Sequence, residues 1–181
     1  MIDRRDLIAA MMAAAALPAR AAEPALADQP ALPGPLARYR DLPVRRIDGG
    51  AQTLGGLLGA PRPAVVSFWA TWCGPCALEG RQLARLRNLY PHARLAIVGL
   101  NLDTQADAPR LDRFRRKAAM NYTQGIDANA AYAEITGRTQ PLLPRTYVFD
   151  AAGQPVAAFG RFFGQRTLLA LDEAVRRAVA G

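Results

Sequence analysis

Cys73 and Cys76, separated by two residues, are the only cysteines in a chain of 181 residues. A thiol pair at this spacing can close a small disulfide, supply half of a metal site, or exchange disulfides with another molecule. A staple across so short a loop removes little unfolded-state entropy, and a chain of this length can build an ordinary hydrophobic core without one. Structural zinc takes four ligands, whereas Cys73, Cys76 and the single histidine, His92, are the whole stock of strong nitrogen and sulfur ligands. Thiol–disulfide exchange is the remaining use, with the Cys73–Cys76 pair itself as the redox group and no cofactor or metal.

The elements that must hold the pair follow from patterning. Residues 64–70 form a continuous apolar run rich in β-formers, which predicts a central strand covered on both faces. A helix is predicted from Gly74 to about Tyr90, with Leu83, Leu86 and Tyr90 on one stripe. Amide N–H groups at a helix start are unpaired and the dipole is positive there, so a thiolate at Cys73 is stabilised and Cys73 is the expected nucleophile. Pro75 fits the first turn, where its missing N–H costs nothing. Gly74 is expected to permit a tight turn and to leave the Cys73 sulfur open to a partner. Cys76, one turn further in, is placed to resolve a mixed disulfide.

Around this unit, residues 95–102 read as a second buried strand. A short strand is expected at 44–47 before the turn Asp48-Gly49-Gly50, and 53–58 reads as either a helical turn or another short strand. Pro109 opens a helix carrying Leu111, Phe114 and Ala118, and residues 128–135 form a helix that stops at Gly137. Strands at 145–150 and 155–159 flank Ala151-Ala152-Gly153 as a hairpin. A final helix over about 165–180 turns Leu168, Leu171, Val175 and Val179 inward. The order predicts an α/β fold, a mixed central sheet with helices on both faces.

The segment Phe68-Trp69-Ala70-Thr71-Trp72-Cys73-Gly74-Pro75-Cys76 resembles the active-site segment of thioredoxins, and more narrowly that of the exported TlpA/ResA/DsbE-like group. The resemblance covers about residues 42–181 and implies a thioredoxin-like fold. It implies that Pro144, in Leu142-Leu143-Pro144-Arg145-Thr146, is the cis-proline of a loop facing the cysteines, with Pro141 as a competitor. Trp72, Gly74, Pro75, Leu143 and Pro144 would then contact an extended protein substrate. It also implies that Glu79, one helical turn after Cys76, is a catalytic acid–base group that carries protons to or from Cys76. Its i+3 and i+4 neighbours are Gln82 and Leu83, so no standard helical ion pair explains it. Ser67 stands where thioredoxins proper carry a buried Asp, which moves the likeness towards the exported group and leaves Glu79 as the proton carrier.

Residues 1–21 are expected to be an export signal and not part of the fold. Arg4-Arg5 precede an apolar run from Leu7 to Leu17, and Ala19-Arg20-Ala21 offers small residues for cleavage. The run is short of the ~20 residues of a membrane span. Paired arginines also fit a twin-arginine signal as an alternative to the general secretory route, and an uncleaved anchor is a further alternative. Residues 22–41 contain prolines 24, 30, 33 and 35 and read as a Pro-rich tether, leaving 42–181 as the domain. The predicted location is the periplasm, where disulfides persist.

Formal net charge is +8, and all basic residues but Lys117 are arginine. No zinc-finger spacing or aromatic–glycine RNA motif accompanies the charge, so nucleic acid is not expected. Arg113, Arg115, Arg116 and Lys117 read as a solvated helix face, and His92 as a surface-loop residue. The expected partners are a protein disulfide or dithiol substrate and a membrane electron donor, with the chain itself monomeric. The Gly-Pro dipeptide favours a reductase, because thioredoxin carries it and is reducing at roughly −270 mV. Cytochrome c maturation and upkeep of metal-site thiols are candidate settings. An exported oxidase or isomerase is the nearest alternative, and a copper-binding chaperone the next.

Overall fold

A computed structural model describes residues 30–104, 107–160, 162 and 164–181, so the expected export signal lies outside the described residues. In chain order the elements are β1 (Pro43–Arg46), β2 (Ala51–Thr53), α1 (Leu54–Leu58), β3 (Ala64–Trp69), α2 (Gly74–Leu89), β4 (Ala96–Asn101) and α3 (Ala108–Lys117). They continue with β5 (Thr123–Ile126), α4 (Asn129–Thr136), β6 (Arg145–Phe149), β7 (Pro155–Phe159) and α5 (Gln165–Ala180). The strands form one mixed sheet in the order β2-β1-β5-β4-β3-β6-β7. β3 is an interior strand, parallel to β4 and antiparallel to β6.

β3 and β4 are buried at every position, as their unbroken apolar runs require, because the sheet separates two cores. Val65 and Trp69 point into one core with Leu83 and Leu86 of α2, Phe114 of α3 and Leu171 of α5. Val66 and Phe68 point into the other with Leu54 and Leu58 of α1 and Tyr132 and Ile135 of α4. Aromatic contacts secure both faces: Trp69 stacks on Phe114 at 5.1 Å between ring centroids, and Phe68 meets Tyr132 edge-on at 5.2 Å. Helices therefore cover both faces, as the element order predicts.

Several details differ from the sequence expectations. Both alternatives for residues 53–58 are partly right: β2 pairs with β1 through Thr53, and Thr53 then caps α1 by accepting from the Gly56 N–H. β5 has no apolar alternation to announce it; it exists because β4 and β1 offer edges on either side. Its Gly125 is required by close packing, since a Cβ there would come within 2.8 Å of Leu57 and 2.9 Å of Leu100. On α5 the buried stripe is Thr167, Leu171, Ala174, Val175 and Ala178, with Leu168 and Val179 at its margin. α4 does end at Gly137, which takes the left-handed conformation (φ 66°) that glycine adopts without strain.

The Pro-rich stretch is not all tether. Leu36–Tyr39 forms a 3-10 turn whose Leu36 and Tyr39 are buried against the second core. The Leu36 N–H donates to the Gly153 carbonyl at 2.8 Å, tying this turn to the β6–β7 hairpin. The packed body thus begins at least six residues before Leu42.

Candidate active site

Cys73 leaves the end of β3 and becomes the N-cap of α2. Its Sγ is joined to Cys76 Sγ in a disulfide and also accepts the Cys76 backbone N–H at 3.2 Å. When the disulfide opens, a negative Cys73 sulfur already has a helix amide and the positive end of the helix dipole beside it. Pro75 stands in the first turn, where no amide is needed. The expectation for Gly74 is half corrected: its φ is not positive, so no tight turn demands glycine. Apart from its chain neighbours, a Cβ at 74 would meet nothing within 4 Å, so the outer side of this turn is open.

The sulfurs are less open than expected. Cys73 is 4% exposed and Cys76 2%, whereas Trp72 is 57% exposed and Gly74 and Pro75 are also at the surface. Trp72, Gly74 and Pro75 thus form the exposed surface around the buried Cys73.

The loop before the cysteines is held by residues that the sequence reading did not single out. The Thr71 N–H and hydroxyl donate to the Asp103 carboxylate at 2.9 and 3.0 Å, and the Asn101 amide donates to it at 2.7 Å. The Leu102 N–H donates to the Trp69 carbonyl at 2.9 Å. The signal available in the sequence was the polar pair Asn101 and Asp103 closing an apolar strand run.

Opposite this loop, the Leu143–Pro144 peptide is cis and Pro144, not Pro141, carries it. Pairing of Phe68 with Arg145 brings this turn alongside the end of β3 from which the cysteine segment departs. Pro144 is buried, Leu143 is half-buried between the two cores, and Leu142 is exposed.

Glu79 lies beneath the cysteines on α2 and is 2% exposed. A single row across the sheet explains its setting: Gln124, Gly99, Ser67 and Thr146 are successive register partners on the face that α2 covers. Ser67 Oγ donates to Glu79 Oε1 at 3.0 Å, and Thr146 Oγ1 donates to the same oxygen. Burial raises the Glu79 pKa above the ordinary carboxylate range, against the lowering effect of the Thr146 and Ser67 hydroxyls. Nearby, burial and then the Glu79 charge hold Tyr122 in its phenol form. Gln124 accepts from Trp69 Nε1 at 3.0 Å and fills the space a side chain at Gly99 would take.

His92 is exposed at the opposite end of the sheet, in the turn before β4. The basic face of α3 is solvated apart from half-buried Arg115, which pairs with Asp112 at 3.1 Å. Among the described residues no three His, Cys, Asp or Glu side chains gather as a metal site, and no helix is long and apolar enough to cross a membrane.

A model of the AhpC/TSA family matches residues 37–156. Thioredoxin 1 of Chlorobaculum tepidum is 33% identical over 97 residues, 52% of this chain and 86% of that protein. A thiol:disulfide interchange protein DsbE homolog of Paracoccus denitrificans is 29% identical over 108 residues, 60% of this chain and 56% of the relative, so this chain spans little more than half of it. Among solved structures, a secreted disulfide oxidoreductase of Mycobacterium tuberculosis homologous to E. coli DsbE superposes with a TM-score of 0.63 at 21% identity, over 77% of this chain and 98% of that one. A DsbE-type thiol:disulfide interchange protein of Chlorobium tepidum gives 0.65 at 19% identity, over 83% and 99%. At these identities the structures establish the shared fold.

Proposed function

Because the chain belongs to the AhpC/TSA family and carries a thioredoxin-type dithiol, we propose that it is an exported thiol–disulfide oxidoreductase working as a reductase of protein disulfides. The observation that carries this is Cys73 at the N-cap of α2, bonded to Cys76 and served by the Cys76 amide.

In the cycle proposed, the Cys73 thiolate attacks one sulfur of a substrate disulfide, and the other substrate sulfur leaves as a thiolate that takes up a proton. Cys76 then gives its proton to Glu79, and the Cys76 thiolate attacks Cys73 Sγ. The substrate's second sulfur leaves reduced, and the Cys73–Cys76 disulfide is restored. Two electrons pass from the dithiol to the substrate, and a membrane electron donor returns them. Trp72, Gly74 and Pro75 form the rim that receives the substrate, and the Leu143–Pro144 turn offers backbone to it. No bound cofactor enters the cycle.

Export rests on the sequence of residues 1–21 and on the location named for the mycobacterial fold relative. A copper chaperone has less support, because the one histidine is at the far end of the sheet from the cysteines. The family name also raises a peroxidase. Against it, the peroxidase pattern places a Thr three residues before the reactive Cys, whereas Thr71 stands two before Cys73 and its hydroxyl is committed to Asp103.

The test has two parts. In the exported compartment, Cys76→Ser should accumulate mixed disulfides on Cys73 with the physiological substrate, and capture of no protein would overturn substrate exchange. The mature domain's reduction potential should lie below about −180 mV, and a value above it would replace the reductase with an oxidase or isomerase.

A further inference from the structure

At the pole opposite the cysteines two guanidinium groups and an imidazole meet without an acid. Arg62 lies in the loop before β3, Arg87 in the last turn of α2, and His92 in the turn before β4. Arg62 Nη2 donates to the Leu58 carbonyl at 2.8 Å and to His92 Nδ1 at 3.2 Å. Since a guanidinium only donates, Nδ1 is the acceptor, and the neutral imidazole carries its proton on Nε2. Arg87 donates through Nη2 to the Leu95 carbonyl. Arg62 Nε, Arg87 Nε and Arg87 Nη1 are shielded from solvent and have no acceptor. Among the described residues no carboxylate lies within salt-bridge distance of any of the three.

One arginine at this place would be unremarked, because a cation beside a helix C-terminus meets a favourable dipole. That accounts for Arg87, and the same holds for Arg62, which donates to the Leu58 carbonyl at the end of α1. Neither carbonyl, however, supplies an anion to offset two guanidinium charges set beside one imidazole. Burial and then Arg62 disfavour the Arg87 cation, and burial followed by both arginines disfavours protonated His92. Inner nitrogens screened from water leave this positive field uncompensated from within, and in a poorly solvated setting such a field acts strongly on what approaches its open side. That open side consists of exposed His92 and the accessible parts of half-buried Arg62 and Arg87. The donors come from three separate chain segments. With the inner nitrogens shielded, the donors left for an anion are Arg62 Nη1, the second N–H of Arg87 Nη2 and His92 Nε2. A phosphate has oxygens enough to accept from all three, where a carboxylate has two.

We propose that Arg62, Arg87 and His92 form a phosphate-binding site at the end of the molecule opposite the Cys73–Cys76 disulfide. The phosphate is either free in solution or the headgroup of an anionic phospholipid. In both cases the redox end is left facing away and unobstructed. The site shares no residue with the dithiol machinery, so it stands or falls independently of the proposed reductase function.

Because His92 is the only histidine, its imidazole resonance reports on this site alone. Inorganic phosphate added to the full chain should raise the His92 pKa by about half a unit or more relative to chloride at equal ionic strength. Arg62→Gln and Arg87→Gln should each weaken that response by about tenfold, while disulfide exchange at Cys73 stays unchanged. Sedimentation with phosphatidylglycerol vesicles, and not with phosphatidylcholine vesicles, that is lost in both variants identifies the headgroup as the source. A phosphate response without vesicle binding identifies the free anion. If His92 answers phosphate no more than chloride and the vesicles fail to bind, the site does not exist. Retention of either response in both variants overturns it equally. The wild-type comparison of phosphate with chloride decides the matter even if a variant fails to fold.

Discussion

Two hydroxyls on one carboxylate oxygen define the chemistry available at Glu79. With Oε1 accepting from both Ser67 and Thr146, a proton taken up by this group resides on Oε2. Its raised pKa, caused first by burial, favours the protonated form more than in an ordinary glutamate, as a group that accepts a proton requires. Glu79→Gln should slow resolution of the mixed disulfide by roughly 10²-fold and flatten its pH dependence, measured by stopped-flow release of substrate thiol. Thr146→Val removes one donor to the carboxylate, so the pH midpoint of that step should move upward. Stability carries the same signature. A folded-state pKa above the unfolded one means that the folded protein holds this proton more tightly. The contribution is complete below the unfolded pKa and is lost as pH rises through the folded one. Urea denaturation of the oxidised protein should therefore show wild type losing stability against Glu79→Gln over that upward range. Parallel curves would assign Glu79 an ordinary pKa.

The decisive element is the start of α2, which must present Cys73 while keeping Glu79 and Cys76 inside. Gly74 lies on the outer side of this turn with open space before it. Gly74→Ala should leave the melting temperature within the range of neutral surface changes, about ±0.5 kcal/mol. It should nevertheless slow exchange with folded protein disulfides, while the rate with a small thiol reagent is unchanged. A parallel loss with both substrates would show that the methyl group disturbs the helix start instead of the docking rim. Behind the same turn, Trp69 joins β3 to β5 through Gln124 and stacks on α3. Trp69→Phe keeps most of the stacking area but leaves the Gln124 oxygen unpartnered in a buried place. Chemical denaturation should register a loss of about 1–3 kcal/mol.

For the whole molecule, a net charge of +8 on 181 residues acts on encounter, not on fold. Mixed-disulfide formation with an acidic protein substrate should slow as ionic strength rises, because the screening length shortens to ~8 Å at physiological salt. The rate with a neutral small disulfide should not change. Equal salt dependence for both would place the effect at the cysteines themselves. The two cores on either side of one sheet give the molecule distinct ends, with the dithiol at the C-terminal ends of β3 and β4 and the Arg62–Arg87–His92 group at their beginnings.

Cys73-Gly74-Pro75-Cys76 between an unbroken apolar run and a helical pattern was enough to place a redox dithiol at a helix start. Both signals are local in the chain, as are the stop at Gly137 and the hairpin around Gly153. The proton-carrying role proposed for Glu79 came from resemblance, because a helical carboxylate says nothing of its own burial. What tertiary structure decided are the relations between distant segments. Thr146 and Ser67 converge on Glu79 because β6 and β3 pair in one register. Asp103 reaches Thr71 because β3 and β4 end side by side. β5 becomes a strand because two edges await it, and Leu36 and Tyr39 join the core although their surroundings are rich in proline. Periodicity records which face of an element is buried, but register and contact across the sheet are properties of the assembled chain.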